Sequence, residues 1–192
     1  MIKHLPRVAI LGNPNCGKTA IFNLLTGLNQ KVSNYPGITV EKKTSSVQLN
    51  DTLSFNLEDY PGSYSMISQS IDEDIVSDNI YKWIREPSSK PDALIYVLDM
   101  NNIKRNLYFC TQLLELDIPT VILLNMMDLV TKENKIDHVK LKDELKVNNI
   151  IPFSAATGLG VTMLKDTLTD ILANDKIIVS HNVMPVSETI SD

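Results

Sequence analysis

Gly12-Asn13-Pro14-Asn15-Cys16-Gly17-Lys18-Thr19 stands between two apolar segments of different period. Upstream, residues 7–11 form a short continuous apolar run, the mark of a strand buried on both faces. Downstream, Ile21, Leu24, Leu25 and Leu28 recur at helical spacing. The octapeptide fits G-x-x-x-x-G-K-[ST] in the strand-to-helix setting that this motif requires. Its two glycines let the chain curl until successive N–H groups face one point, and the helix beginning there adds its positive end. An anion such as a phosphate is the natural occupant. Lys18 supplies a point charge for β- and γ-phosphates, and the Thr19 hydroxyl can coordinate Mg²⁺. Cys16 reads as a small filler inside the loop whose N–H does the binding, not as a redox thiol.

The same alternation continues outward. A hairpin is expected from residues 44–49 and 53–59, because Asn50-Asp51-Thr52 is too short a connection for parallel strands. Helices are expected over about 70–85, 103–114, 138–146 and 161–171, and buried strands over 93–98, 119–124 and 150–153. Residues 29–39, polar and carrying Asn34-Tyr35-Pro36-Gly37, read as a loop. Strands alternating with helices imply right-handed crossovers, with ligands at the carboxyl ends of the strands. The expected fold is α/β: a mostly parallel six-stranded sheet with one antiparallel strand and helices on both faces. Residues 1–173 make the domain, and 174–192 read as a tail or the stub of a following helical domain.

Composition narrows the partners. The 192 residues carry 18 Lys+Arg against 23 Asp+Glu, a net charge of −5, so a globally basic surface for nucleic acid is absent. No apolar run approaches the length of a membrane span. Cys16 and Cys110 have neither disulfide-framework nor metal spacing. His4, His138 and His181 are scattered, Cys110 and Trp83 read as packing residues, and Asp72-Glu73-Asp74 as a solvated, dipole-favoured helix start.

A second loop selects the base. Asn125-Met126-Met127-Asp128 follows a buried strand and fits N-x-x-D. A carboxylate at Asp128 can accept both N1–H and the 2-amino group of guanine, whereas adenine has no N1–H to offer. Ser154-Ala155-Ala156 follows another strand, where a backbone N–H can meet the guanine O6. GTP and GDP are the expected nucleotides.

Taken together, the phosphate loop, Thr39, Asp59-Tyr60-Pro61-Gly62, Asn125–Asp128 and Ser154-Ala155 resemble the Ras-like P-loop GTPase superfamily. More narrowly, the phosphate loop, residues 34–41 and 59–65, Asn106-Leu107-Tyr108 with Gln112-Leu113-Leu114-Glu115-Leu116, and the N-x-x-D loop resemble the cytosolic G domain of the bacterial ferrous iron transport protein B family. The likeness covers about residues 5–173. It implies nucleotide contacts from Gly12 through Lys18, Thr19 and Ala20, from Gly37, Ile38 and Thr39, from Asp59, Tyr60, Pro61 and Gly62, and from Asn125, Met126, Asp128, Ser154, Ala155 and Ala156. It implies Mg²⁺ on Thr19, Thr39 and Asp59, and K⁺ on Asn15. Asn15, Lys18, Thr39 and Gly62 would serve the hydrolysis step, with the Gly62 N–H meeting the γ-phosphate. Loss of that phosphate would release the two loops, an order–disorder switch.

Three departures from the superfamily pattern matter. Ser63 stands where a water-orienting glutamine often follows D-x-x-G, so slow intrinsic hydrolysis is expected, with K⁺ compensating. Met126 replaces the lysine whose stem covers one face of the base, and Ala156 replaces another lysine. Modest affinity and fast GDP release follow. The resemblance further implies a membrane-embedded iron permease segment of the same parent protein as partner, small accessory iron-transport proteins, and a place at the cytoplasmic face of the bacterial inner membrane. A free-standing GTPase of ribosome or tRNA maturation is the alternative, but it would bring an RNA-binding module or basic surface that this acidic chain lacks. A nucleotide-binding scaffold without turnover is the third reading.

Overall fold

The structure, a computed structural model, describes residues 5–27, 31–35, 40–68, 70–131 and 137–173. In chain order the elements are β1 (Arg7–Gly12), α1 (Lys18–Thr26), β2 (Lys31–Asn34), β3 (Glu41–Gln48), β4 (Ser54–Asp59), α2 (Ile71–Arg85), β5 (Ala93–Asp99), α3 (Ile103–Leu114), β6 (Thr120–Asn125), α4 (His138–Leu145), β7 (Ile150–Pro152) and α5 (Val161–Ala173). The strands form one seven-stranded sheet in the order β2-β3-β4-β1-β5-β6-β7. β3 pairs antiparallel with both β2 and β4, and the remaining pairs are parallel, so β3 is the single reversed strand.

The sheet thus has one strand more than the six expected. The addition is β2, which lies inside the segment read as a loop. All four of its residues are exposed, so its sequence carries no apolar alternation; edge pairing with β3 needs only backbone groups. The tight hairpin between β3 and β4 is built by Asn50, whose side-chain oxygen accepts the N–H groups of Thr52 (3.0 Å) and Leu53 (2.9 Å).

Two apolar layers enclose the sheet. Val8, Ile10, Ile95, Val97, Val121 and Leu123 point toward α1 and α5, while Ala9, Leu11, Leu94, Tyr96, Ile122 and Leu124 point toward α2, α3 and α4. This alternation is the period of two of the strand, with both faces covered as a parallel sheet requires. The helix stripes are partly shifted from their expected positions. In α2, Ile75, Val76, Ile80 and Trp83 are buried, but Ile71 and Ile84 are exposed; Ile84 adjoins the buried Trp83, so it lies on the helix's outer side. In α3 the buried face is Asn106, Phe109, Cys110 and Leu113, and Ile103, Leu107 and Leu114 flank it. Leu24 in α1 is also exposed. Cys110 is buried, and burial pushes its thiol up to about 12, as its packing role requires.

Among the described residues no helix is long and apolar enough to cross a membrane, and no group of three or more His, Cys, Asp or Glu is placed to hold a metal ion. The expected tail, residues 174–192, lies outside the described residues, as do His4 and His181.

Candidate functional site

The loops rich in chemistry meet at the carboxyl ends of β1, β4, β5, β6 and β7. Parallel pairing makes this unavoidable. β1 pairs with β4 up to Ile10–Asp59, and β5 pairs with β6 up to Asp99–Asn125, so Gly12, Asp59, Asp99 and Asn125 emerge at one edge.

The phosphate loop curls as its glycines permit. Gly17 has φ +95° and immediately precedes α1, and a Cβ there would run into the Asn125 side-chain amide. Asn15 also adopts a left-handed conformation, φ +62°, with its side chain exposed. Lys18 is folded back into the loop, where its ammonium donates to the carbonyls of Gly12 (3.1 Å) and Asn13 (2.9 Å). It is only 8% exposed, and burial lowers its pKa despite the opposing pull of Cys16 and Asp59. A buried cation with two neutral acceptors favours an incoming anion strongly. Cys16 is fully buried, and burial raises its thiol's pKa, outweighing Lys18. That places it as a filler, in line with its sequence reading.

Asp59 faces this cradle from the end of β4. Burial raises its pKa, while Lys18, Lys43 and the Thr19 hydroxyl favour its charged form. Its Oδ1 is buried and has no hydrogen-bond partner among the described residues. An orphaned carboxylate oxygen beside a threonine hydroxyl is a donor set suited to a hard divalent cation. A cleft of about 340 Å³ opens there, lined by Thr19, Val40, Glu41, Lys43 and residues 59–62. Thr39, the other expected Mg²⁺ ligand, lies outside the described residues together with Gly37 and Ile38.

The Asp59–Gly62 segment is pressed against the phosphate loop. Tyr60 N–H donates to the Ile10 carbonyl (3.3 Å) and Ser63 N–H to the Gly12 carbonyl (3.2 Å). A Cβ on Gly62 would fall 2.6 Å from Pro14 Cα, so only glycine allows this approach. Ser63 has no exposed surface, and its hydroxyl donates to the Ser65 carbonyl (2.7 Å). It is therefore turned away from the cleft.

Beyond it, residues 64–66 are held by two helices. Tyr64 N–H donates to Glu73 Oε1 (3.3 Å), Met66 N–H to Gln112 Oε1 (3.0 Å), and the Arg105 guanidinium lies 3.9 Å from the Tyr64 ring centroid. Glu73 was expected to be solvated at the helix start; it is instead buried, because its carboxylate reaches back to this loop. Asp72 and Asp74 remain exposed. Tyr35, Tyr60 and Trp83 pack ring against ring, tilted and then edge-on, at centroid spacings of 6.5 and 5.7 Å, joining the residue that follows β2 to α2. Neither contact set was visible in sequence, since each joins residues far apart in the chain; Tyr35, Tyr60, Tyr64 and Gln112 lie in stretches that resemble the family, but the pattern does not show which residues they touch.

The base-selecting loops are joined to the phosphate loop by one residue. Asn125, 3% exposed, donates from Nδ2 to the Cys16 carbonyl (2.9 Å) and accepts the Ala155 N–H on Oδ1 (3.2 Å). The Ser154 hydroxyl donates to Asp128 Oδ1 (2.5 Å), aiming an otherwise exposed carboxylate. Met126 sits at φ +67°, and the Asn101 amide approaches its sulfur at 3.7 Å. Ala156 is exposed and contributes no stem over the pocket.

With the site assembled, the kinship is specific. The sequence profile described as ferrous iron transport protein B matches residues 6–168. The Fe(2+) transporter FeoB of Shigella flexneri is 38% identical over 184 residues, covering 93% of this chain and 23% of that protein. This chain therefore spans about a quarter of the length of that relative. Among solved structures, the cytosolic domain of T. maritima FeoB in a GDP form superposes with a TM-score of 0.79 at 34% identity, covering 91% of this chain and 66% of that one. A GDP-bound mutant of the S. thermophilus FeoB G-domain gives 0.74 at 38% identity, covering 86% and 60%. The fold is that of the Ras-like P-loop GTPases, and the chain belongs to the ferrous iron transport protein B family.

Proposed function

We propose that this chain binds GTP and GDP, hydrolyses GTP, and acts as the nucleotide-driven switch of a ferrous iron transporter. The observation that carries the reading is the Asn125 clasp. It holds a phosphate cradle and an aspartate-bearing base loop at fixed separation, 2.9 Å from Asn125 Nδ2 to the Cys16 carbonyl, so one ligand can satisfy both. The S. thermophilus relative is a GDP-bound protein, which supports guanine as the base.

Asn13 and residues 15–18 would receive the phosphates on their N–H groups, Pro14 having none to give, with Lys18 leaving its two carbonyls to meet the β- and γ-phosphates. Ala20, in the first turn of α1, would lie beside the α-phosphate. Thr19, Asp59 and Thr39 would hold Mg²⁺, which when bound neutralises charge on the phosphate oxygens. Pro61 would stiffen the turn that offers the Gly62 N–H to the γ-phosphate, and Tyr60 anchors that turn in the apolar layer. Asp128 would read N1–H and the 2-amino group, the Ala155 N–H would face O6, and Met126 would cover one face of the base. With Ala156 adding no cover, GDP should leave quickly.

Hydrolysis should be slow without help, because the buried Ser63 cannot orient water. Asn15, exposed in the loop, offers an amide oxygen to K⁺, which would spread developing charge as an arginine finger does. GTP turnover measured in KCl and in NaCl, with Asn15→Ala alongside, checks this. A rate at least several-fold higher in KCl, lost in Asn15→Ala, is expected; equal rates in both salts contradict the K⁺ role.

Gating of iron passage would act through a membrane-embedded permease segment of the same parent protein, at the cytoplasmic face of the bacterial inner membrane, with small accessory iron-transport proteins as further partners. Co-purification of the parent protein with membranes, set against RNA pull-down, separates this from the ribosome or tRNA-maturation alternative. Family membership already disfavours that alternative.

A further inference from the structure

β5 runs through the middle of the sheet with every residue buried. Tyr96 stands at its centre, paired with Leu11 and Ile122 and without exposed surface. A tyrosine in such a place must find a partner for its hydroxyl. Here the oxygen lies 3.1 Å from Asn13 Oδ1 and 2.9 Å from the Asn106 carbonyl. One proton faces two acceptors. The Asn106 carbonyl lies inside α3, where a helix N–H four residues on can serve it. The acceptor that depends on the tyrosine is therefore Asn13 Oδ1.

Asn13 is 1% exposed, and its Nδ2 approaches the Arg105 carbonyl at 3.5 Å. The second residue of the phosphate loop is thus gripped from behind, by β5 and α3. Its front carries the cradle itself, since the Asn13 carbonyl accepts both the Lys18 ammonium (2.9 Å) and the Cys16 N–H (3.4 Å). The helix gripping Asn13 also holds the segment after Gly62, through Arg105 on the Tyr64 ring and Gln112 on the Met66 N–H.

We propose that the Tyr96 hydroxyl is a positioning group for the phosphate loop, holding Asn13 so that Lys18 and the loop N–H groups keep the curvature a nucleoside diphosphate needs. This rests on the guanine-nucleotide reading of the site. It adds a residue that no motif contains, acting through Asn13 and never touching the ligand. It also makes α3 the common support of the phosphate loop and the 60–66 segment.

Fluorescent-GDP affinity and release rate, measured for wild type, Tyr96→Phe, Asn13→Ala and the double variant, test the proposal, with nucleotide-free melting temperatures alongside. Tyr96→Phe keeps the ring and its edge contact with Phe109 (5.9 Å) while removing only the hydroxyl. We expect it to weaken GDP roughly tenfold, the scale of one lost buried hydrogen bond, mostly through faster release. The double variant should bind within about twofold of Asn13→Ala, because both changes break the same link. If Tyr96→Phe melts lower but binds GDP within twofold of wild type, the hydroxyl is only a satisfied core group and the proposal fails. Losses that multiply in the double variant overturn it too. Should Tyr96→Phe not fold, Asn13→Ala alone must show the tenfold loss. Wild type failing to bind GDP would defeat the nucleotide reading and this proposal together, whereas normal wild-type binding with unmoved variants defeats only the proposal.

Discussion

Asn125→Ala and Asp128→Ala change two residues of one short motif, yet the structure assigns them opposite consequences. Asn125 is 3% exposed and joins three loops: its own, the phosphate loop at Cys16 and the Ala155 turn. Truncation orphans the Cys16 carbonyl, in a fully buried residue, and the half-buried Ala155 N–H. At about 1–3 kcal/mol for the first and roughly 1 kcal/mol for the second, the loss is about 3 kcal/mol. For a domain of this size that lowers the melting temperature by roughly 6–12 °C. Asp128 is exposed and accepts one hydroxyl, so Asp128→Ala should cost about 1 kcal/mol, or roughly 2–4 °C. Its effect should fall on the base, with preference for GDP over ADP largely erased. The assay is thermal unfolding of both nucleotide-free variants by circular dichroism, followed by GDP and ADP competition. Equal melting temperatures for the two variants, or an Asp128→Ala protein that still discriminates guanine, would refute the division of labour.

Two charged residues should behave in ways a contact count would not suggest. Lys18 has its pKa lowered by burial, so in the nucleotide-free protein its charge costs stability at any pH below its folded pKa. Lys18→Met should therefore raise the nucleotide-free melting temperature by ~3 °C, from about 1 kcal/mol of relief, while removing measurable GTP binding. Asp59 has its pKa raised by burial, so its ionisation destabilises the nucleotide-free fold as pH rises through that folded pKa. Asp59→Asn should melt above wild type at pH 7 and lose that advantage below about pH 4, where both forms are neutral. The same variant should lose the Mg²⁺ dependence of GTP binding, which calorimetry with and without Mg²⁺ reads directly.

Much of the fold was legible because burial leaves periodic marks. The apolar runs of β1, β5 and β6 and the helical stripe of α5 stand out along the chain. β2 was not legible, since Lys31–Asn34 is an exposed edge strand that uses only its backbone. The site divides in the same way. Gly12, Gly17, Lys18, Thr19, Asp59, Gly62, Asn125 and Asp128 sit at spacings set by ligand geometry, so a motif reveals them. Tyr96, Gln112, Arg105 and the buried Glu73 support those residues from elements distant in sequence. Their role comes from tertiary proximity, which periodicity does not encode. Glu73 shows the limit most plainly, for a carboxylate in the first turn of a helix reads as dipole compensation until the Tyr64 N–H is seen beside it.

The proposed recognition of guanine nucleotide by one rigidly joined pair of loops is open to direct measurement. Displacement of fluorescent GDP from the wild-type chain, titrated with GDP and separately with ADP in Mg²⁺ and K⁺, measures it in one experiment. GDP should displace the probe at concentrations at least roughly a hundredfold below ADP, because adenine leaves the Asp128 carboxylate without its N1–H partner. Equal displacement by the two nucleotides, or no probe binding at all, would contradict it.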